Sequence, residues 1–221
     1  MPREVKPGSK PPPAKRVYRS ERRTQQAQET RRAIREAAER LFTANGYAAT
    51  SIAAIAEEAG VAPETVYATF KNKRALLLDI QDVAIVGDDL DVPLFDREFV
   101  AAAGAEPDIR TRYHMIMDTG LDAVARPAQL DRVIRNAADS DAELAKMNKA
   151  RRKARYGDTR RFTEVIAQGE SFAIPFDDAV DLSYALCGTE VFDILVGELG
   201  WSIEKWKTTI TTMLERYALQ D

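Results

Sequence analysis

The chain has 221 residues, 45% hydrophobic and 30% charged, the proportions of a soluble globular protein of one or two domains that buries its core without covalent staples. One cysteine, Cys187, and one histidine, His114, exclude a disulfide framework, a CxxC zinc site and an HExxH centre, so no metal and no cofactor is expected. Nor does any apolar run approach the ~20 residues that span a bilayer or resemble a signal-peptide core, and a cytoplasmic location without membrane contact is expected. The net charge of −3 conceals a polarity: residues 1–74 carry a net +7 and residues 75–221 a net −10, the pattern of a polyanion-binding head on an acidic body.

Five of the ten prolines fall in the first thirteen residues and a basic stretch follows, which reads as an extended arm over residues 1–23. Ile34, Ala37, Ala38, Leu41 and Phe42 then repeat at helical spacing up to the stop Asn45-Gly46. Thr50-Ser51 offers hydroxyl caps for a short second helix carrying Ile52, Ile55, Ala56 and Ala59, which Gly60 ends. Pro63 opens a third helix, where its missing N–H costs nothing, with Val66 and Phe70 facing inward. Two short helices joined around a glycine make a helix-turn-helix. Asn72 caps a fourth helix with Leu76, Leu77, Ile80, Val83 and Ala84 on one face, stopped by Gly87.

Beyond residue 90 the expected helices lengthen. Ile109, Tyr113, Ile116, Met117, Leu121 and Val124 form one stripe, and Leu130, Val133, Ile134 and Ala137 another. Ser140-Asp141-Ala142-Glu143 matches a capping box for a helix running towards Gly169. From Ala179 to Leu199, 13 of 21 residues are apolar, more than a one-sided surface helix needs. Ile203, Trp206, Ile210, Met213 and Tyr217 follow at spacings of 3, 4, 3, 4, a helix-packing seam. Symmetric pairing of these last helices between two copies accounts for the apolar excess and makes Val191, Ile194, Leu195, Ile203, Trp206, Ile210 and Met213 a candidate dimer interface. No segment alternates with period two, so the fold class is all-α.

The stretch TSIAAIAEEAGVAPETVYATFKNKRALL, Thr50 to Leu77, after a helix ending AAERLFTANGY, closely resembles the DNA-binding domain of the TetR family of bacterial transcriptional regulators. FDILVGELGWSIEKW resembles the segment that joins the last two, dimerising helices in that family. The resemblance implies a helix-turn-helix domain at 24–72, a linking helix at 73–87 and a ligand-binding and dimerisation domain at 88–221. A recognition helix presents its first residues to base edges and needs phosphate contacts on its flanks. By position Ala62, Pro63, Glu64, Thr65 and Ala68 face bases, and Ser51, Tyr67, Thr69 and Lys73 face phosphates. Ala62 replaces the polar cap usual in the family, and Ala68-Thr69 replaces an aromatic and a histidine. This leaner readout places weight on Arg16, Arg19, Arg22 and Arg23, just before the first helix, for contact with a minor groove.

A second basic run, Lys146 to Arg161, reads as a solvated helix face. Cys187 sits in an apolar pattern, and the sequence holds no GxSxG, P-loop or GxGxxG, so an enzyme is not expected. The resulting expectation is a homodimeric repressor released from a palindromic double-stranded DNA operator by an apolar or aromatic small molecule. That molecule is placed where Tyr113, Met117 and Leu121 approach Phe162, Ile166 and Tyr184. The rival expectation is a ligand-independent architectural or nucleoid-associated dimer, and a drug-sized interior cavity between residues 95 and 185 discriminates between them.

Overall fold

The computed structural model describes residues 14–90 and 92–219, with side chains from Arg22 onward; the expectation of an extended arm over residues 1–13 and the side chains of Arg16 and Arg19 lie outside these. Among the described residues there are helices and turns and no strand. Helix α1 (Ala14–Ala49) already includes residues 14–23, which the sequence reading gave to the extended arm. The physical reason is composition: from Ala14 to Asn45 there is no Gly or Pro, and Ala, Arg, Glu and Gln dominate, all good helix formers. Its regular path ends at Gly46, whose φ of 79° is one that L side chains rarely adopt.

Helices α2 (Ile52–Glu58), α3 (Pro63–Phe70) and α4 (Lys73–Val86) follow with local caps. Ser51 Oγ accepts from Ala54 N–H at 3.0 Å, and Asn72 Oδ1 from Ala75 N–H at 2.9 Å. Ala62 caps α3 without a side-chain bond. The apolar faces meet in a core of Ile34, Ala37, Ala38, Phe42, Ile55, Val66, Phe70, Leu76 and Leu77. That core does not stop at the expected domain line, because Leu130, Val133 and Ile134 of α7 (Ala128–Ala138) belong to it. The head is therefore seated on α7 through apolar packing, with α4 as the covalent strut.

A 3-10 turn (Leu94–Asp96) and α5 (Glu98–Ala105) lead into the body, with α6 (Ile109–Ala125), α7, α8 (Ala142–Ala167), α9 (Phe176–Leu186), a four-residue α10 (Thr189–Phe192) continued by a π-helical turn (Asp193–Glu198), and α11 (Ile203–Ala218). In the expected capping box it is Asp141 that caps α8, its Oδ1 accepting from Glu143 and Leu144 N–H, both at 3.1 Å. The other end of α8 is closed from a distance. Arg112 of α6, 1% exposed, donates to the carbonyls of Ile166 at 2.8 Å and Ala167 at 3.4 Å, to Glu106 and Pro107 O, and pairs with Glu170.

Two expectations for the C-terminal helices are corrected. The apolar run from Ala179 to Leu199 is not one helix, since α9 ends at Leu186 and Gly188 is extended, with φ −77° and ψ 155°. The seam on α11 is not all interface. The row that buries is Trp206, Ile210, Leu214 and Ala218, an i, i+4 series that slants off the 3-4 seam. Trp206 and Ile210, proposed for the dimer interface, are 0% and 2% exposed in the core of their own chain, against Tyr113, Met117 and Phe192. Val191 and Leu195 pack half-buried on the same core, whereas Ile194, Ile203 and Met213 stay exposed beside Leu199 and Tyr217.

Candidate functional site: an exposed helix face and an interior cavity

Helix α3 buries Val66 and Phe70 and turns Ala62, Pro63, Glu64, Tyr67 and Ala68 to solvent, with Thr65 and Thr69 half-buried. Thr69 Oγ1 donates to Thr65 O at 2.7 Å, so that hydroxyl is turned back on its own helix. Ser51, exposed, accepts a backbone N–H and keeps its hydroxyl proton for an outward acceptor. Arg22 and Arg23 are exposed on α1. Lys73 differs from the expected phosphate ligand: Nζ donates to Tyr47 O at 2.7 Å and Thr50 O at 2.8 Å and stands 4.1 Å from the centre of the Tyr47 ring. It ties the junction of α1 and α2 together, and partial burial pulls its pKa down.

Helix α4 carries ionic contacts along its whole length. Near its start Arg74 pairs with Asp141 at 3.0 Å, and Asp79 pairs with Arg31 and Arg35 of α1. Further on, Gln81 donates to Asp131 of α7 and Asp82 accepts from Arg151 of α8. At its end Arg126 donates to the carbonyls of Ala84 at 3.0 Å and Ile85 at 2.8 Å. The guanidinium lies where a side chain at Gly87 would be, 3.1 Å from the ideal Cβ position, and Gly87 has φ 83°.

The body holds a cavity of about 470 Å³, partly open to solvent, within the range of small-molecule sites. Its walls come from α4 (Gln81, Asp82, Ile85, Val86), α6, α7, α8 and the segment after α9. Of the six residues expected to meet a ligand, Met117, Leu121, Phe162 and Ile166 line it. Tyr113 does not, because it packs in the core and its hydroxyl donates to Thr211 O of α11 at 2.8 Å. Tyr184 does not either; its ring lies under the Arg155 guanidinium at 4.0 Å and edge-on to Tyr156.

What sequence reasoning missed is the polar wall: Asp131 and Arg135 on α7, Arg151, Arg155 and Asp158 on α8, and Thr189. Burial pushes the carboxyls of Asp131 and Asp158 above their ordinary range. Part of the basic run taken for a solvated face thus lines a cavity. The signal was available, because Arg151, Arg155, Asp158, Phe162 and Ile166 recur at helical spacing as one stripe, polar at one end and apolar at the other. Cys187 also lines the cavity, its thiol pushed up to about 12 by burial and so held protonated, while exposed His114 faces Glu215 at 3.3 Å.

Residues 34–80 match the family model described as "Bacterial regulatory proteins, tetR family". A 62-residue stretch is 50% identical to the HTH-type transcriptional regulator TtgR of Pseudomonas putida, covering 28% of this chain and 30% of that protein; the match spans less than a third of the relative's length. Solved structures are similar over most of the chain. A transcriptional regulator from Saccharomonospora viridis in complex with choline aligns with a TM-score of 0.65 at 20% identity, covering 88% of this chain and 100% of that one. NalD of Pseudomonas aeruginosa, described as the secondary repressor of the MexAB-OprM multidrug efflux pump, gives 0.64 at 20% identity over 88% of this chain and 99% of its own. The SmeT–triclosan complex gives 0.66 at 18% identity, over 87% and 92%. At these identities the structural likeness shows the fold.

Proposed function

We propose, on the match of residues 34–80 to the tetR family model and the identity to TtgR over 62 residues, that this chain is a TetR-family regulator: a homodimeric transcriptional repressor released from DNA by a small molecule. Its exposed α3 face reads base edges, with Ala62, Pro63, Glu64, Thr65 and Ala68 towards the bases and Ser51 and Tyr67 towards phosphates, while the Thr69 hydroxyl stays bonded to its own helix. Lys73 acts from behind, holding the loop that presents Ser51. Exposed Ile194, Leu199, Ile203, Met213 and Tyr217 give the pairing surface between two copies, and a two-fold dimer matches a palindromic operator. The triclosan and choline complexes of fold neighbours support an effector role for the cavity. Such a protein works in the cytoplasm.

The observation that carries this reading is the double membership of α4. Leu76, Leu77 and Ile80 are in the core of the head, and Gln81, Asp82, Ile85 and Val86 of the same helix line the cavity. A molecule in that cavity touches the strut on which the head is mounted, and it shifts the DNA-binding form only if it binds the other form more tightly. A ligand-independent architectural dimer has no use for such a cavity. The test is fluorescence anisotropy with the duplex upstream of the protein's own gene, challenged by a panel of aromatic amines, phenols and acids. The expected result is an inducer that releases the wild type from DNA, and a Leu121→Trp variant that binds DNA normally and ignores that inducer. Cavity ligands that bind without changing DNA affinity would leave the architectural reading in its place.

A further inference from the structure

The charges around the cavity are not evenly satisfied. The arginines are already engaged: Arg151 pairs with Asp82, Arg152 with Glu190, and Arg135 with Asp193 and, at 2.9 Å, with Thr189 Oγ1. Arg155 lies over the Tyr184 ring and reaches its carbonyl at 3.3 Å. Three of these four guanidiniums are already neutralised by a carboxylate, and Arg155 alone shares its charge only with a ring and a carbonyl.

The acceptors are in the opposite condition. Gln81 is 6% exposed, and its Oε1 has no hydrogen-bond partner. Its amide orientation is fixed, since Nε2 donates to Asp131 and a carboxylate accepts but does not donate. The oxygen left over is itself covered by protein, on a side chain that lines the cavity, and a buried acceptor without a donor is costly to maintain. Asp131 has Gln81 and Thr189 as its hydrogen-bond donors and feels the charges of Arg135 and Arg155 from a distance, but no arginine or lysine stands within salt-bridge distance of it among the described residues. Asp158, on the same cavity, makes no hydrogen bond or ion pair among them.

We propose that the cavity takes an organic cation: an apolar, most simply aromatic, body resting on Leu121, Phe162 and Ile166, and an ammonium head whose N–H groups donate to Gln81 Oε1 and the Asp131 carboxylate. The inference rests on the reading of this cavity as the effector site and adds the chemical class of the effector. A primary or secondary ammonium meets both acceptors at once. An alcohol satisfies Gln81 but brings no charge into contact with Asp131, and a carboxylate is repelled by Asp131. Burial has raised the Asp131 pKa despite the charges of Arg135 and Arg155, and a cationic head in contact with the carboxylate opposes that rise. Gln81 stands on α4 and Asp131 on α7, so the head group sits across the contact between the strut and the body.

The experiment uses the full chain and three probes that share a biphenyl group: 4-phenylbenzylamine, biphenyl-4-methanol and biphenyl-4-acetate. Calorimetry at neutral pH is expected to rank them ammonium, alcohol, carboxylate, with the ammonium roughly tenfold or more ahead of the alcohol, as expected for a charge-assisted hydrogen bond. Asp131→Asn should remove that advantage and leave the alcohol nearly unchanged. Gln81→Met, which keeps the packing and deletes the acceptor, should weaken both, and Leu121→Trp should exclude all three. Equal affinities, a preference for the carboxylate, an ammonium preference that survives Asp131→Asn, or no binding at all would overturn the proposal; the ranking on wild-type protein needs no variant to fold. DNA release measured alongside separates the two readings. A carboxylate that binds in a Leu121-dependent way and releases DNA would sink the cation and keep the regulator. An ammonium that binds as ranked and leaves DNA affinity untouched would do the reverse.

Discussion

The head and the body are built from the same kind of element and stabilised in different ways. In the head, caps are supplied by the residue next to the helix, as Ser51 and Asn72 do, and the core from Ile34 to Leu77 is apolar throughout. Ionic contacts stay at its edge, where Asp79 meets Arg31 and Arg35. In the body, a helix end is closed by Arg112 reaching in from another helix, a polar row faces an interior cavity, and α7 and the π-helical turn are joined by the pair Arg135 and Asp193. A close-packed apolar core has one low-energy arrangement, whereas a cavity framed by ion pairs can trade partners at modest cost. The difference fits a rigid reading surface set on a deformable support.

That contrast can be broken first at α11. Ile210→Glu puts an unpaired charge into the body core and should cost about 4 kcal/mol or more, enough to unfold the body. Met213→Glu, one turn away and 44% exposed, should leave the fold intact and only weaken self-association. Sedimentation and urea melts on both variants check this, and a folded Ile210→Glu monomer would restore the seam as interface. Next in size, Arg112→Met strands the buried carbonyls of Ile166 and Ala167, while the half-exposed Glu170 carboxylate turns to water. A loss of about 2–4 kcal/mol is expected in chemical denaturation, and a loss below about 1 kcal/mol would mean that water replaces the guanidinium.

Caps sharpen the description of the head on a smaller scale. Ser51→Ala should cost about 1 kcal/mol, and Ala62→Ser, at an extended residue with φ −75° and ψ 147°, should gain about 0.5–1 kcal/mol by supplying the absent cap. Thermal melts of the two single variants should move in opposite directions. The smallest effect is a pH signature. Asp88 is held down to about 2 by Arg97 and the Leu90 N–H, from an ordinary 3.8. A carboxyl whose folded pKa is depressed contributes stability that is present above its unfolded pKa and lost as pH falls through the folded one. Asp88→Asn should therefore flatten the stability profile between about pH 4 and pH 2 and change little at neutrality; an unaltered acid limb would remove Asp88 from the account.

The same division explains what could be read in advance. Asn72, Gly46, Gly60, Gly87 and Pro63 act within a few residues of themselves, and the apolar stripes of α2 to α4 follow from spacing alone. Arg112, Gln81 and Asp131 have partners 54, 50 and 50 residues away, and nothing in the chain around an arginine says which distant carbonyl it will close. The contacts of Lys73 are hidden for the same reason: its partners Tyr47 and Thr50 lie 26 and 23 residues earlier. The cavity was half legible, through Met117, Leu121, Phe162 and Ile166, because apolar stripes announce burial but do not distinguish solid core from the wall of an empty space. Trp206 and Ile210 failed on a finer point, since a 3-4 seam does not say which of two surfaces it meets.

The double membership of α4 has a consequence in the opposite direction from induction. Coupling between two binding events on one protein is reciprocal, so if a cavity ligand loosens the grip on DNA by some factor, DNA must loosen the grip on that ligand by the same factor. Protein molecules seated on an operator are then the last to respond, and unbound copies act as a sink that fills first. The concentration at which release begins would be set jointly by the ligand and by how many copies of the protein, and how many operator sites, the cell holds.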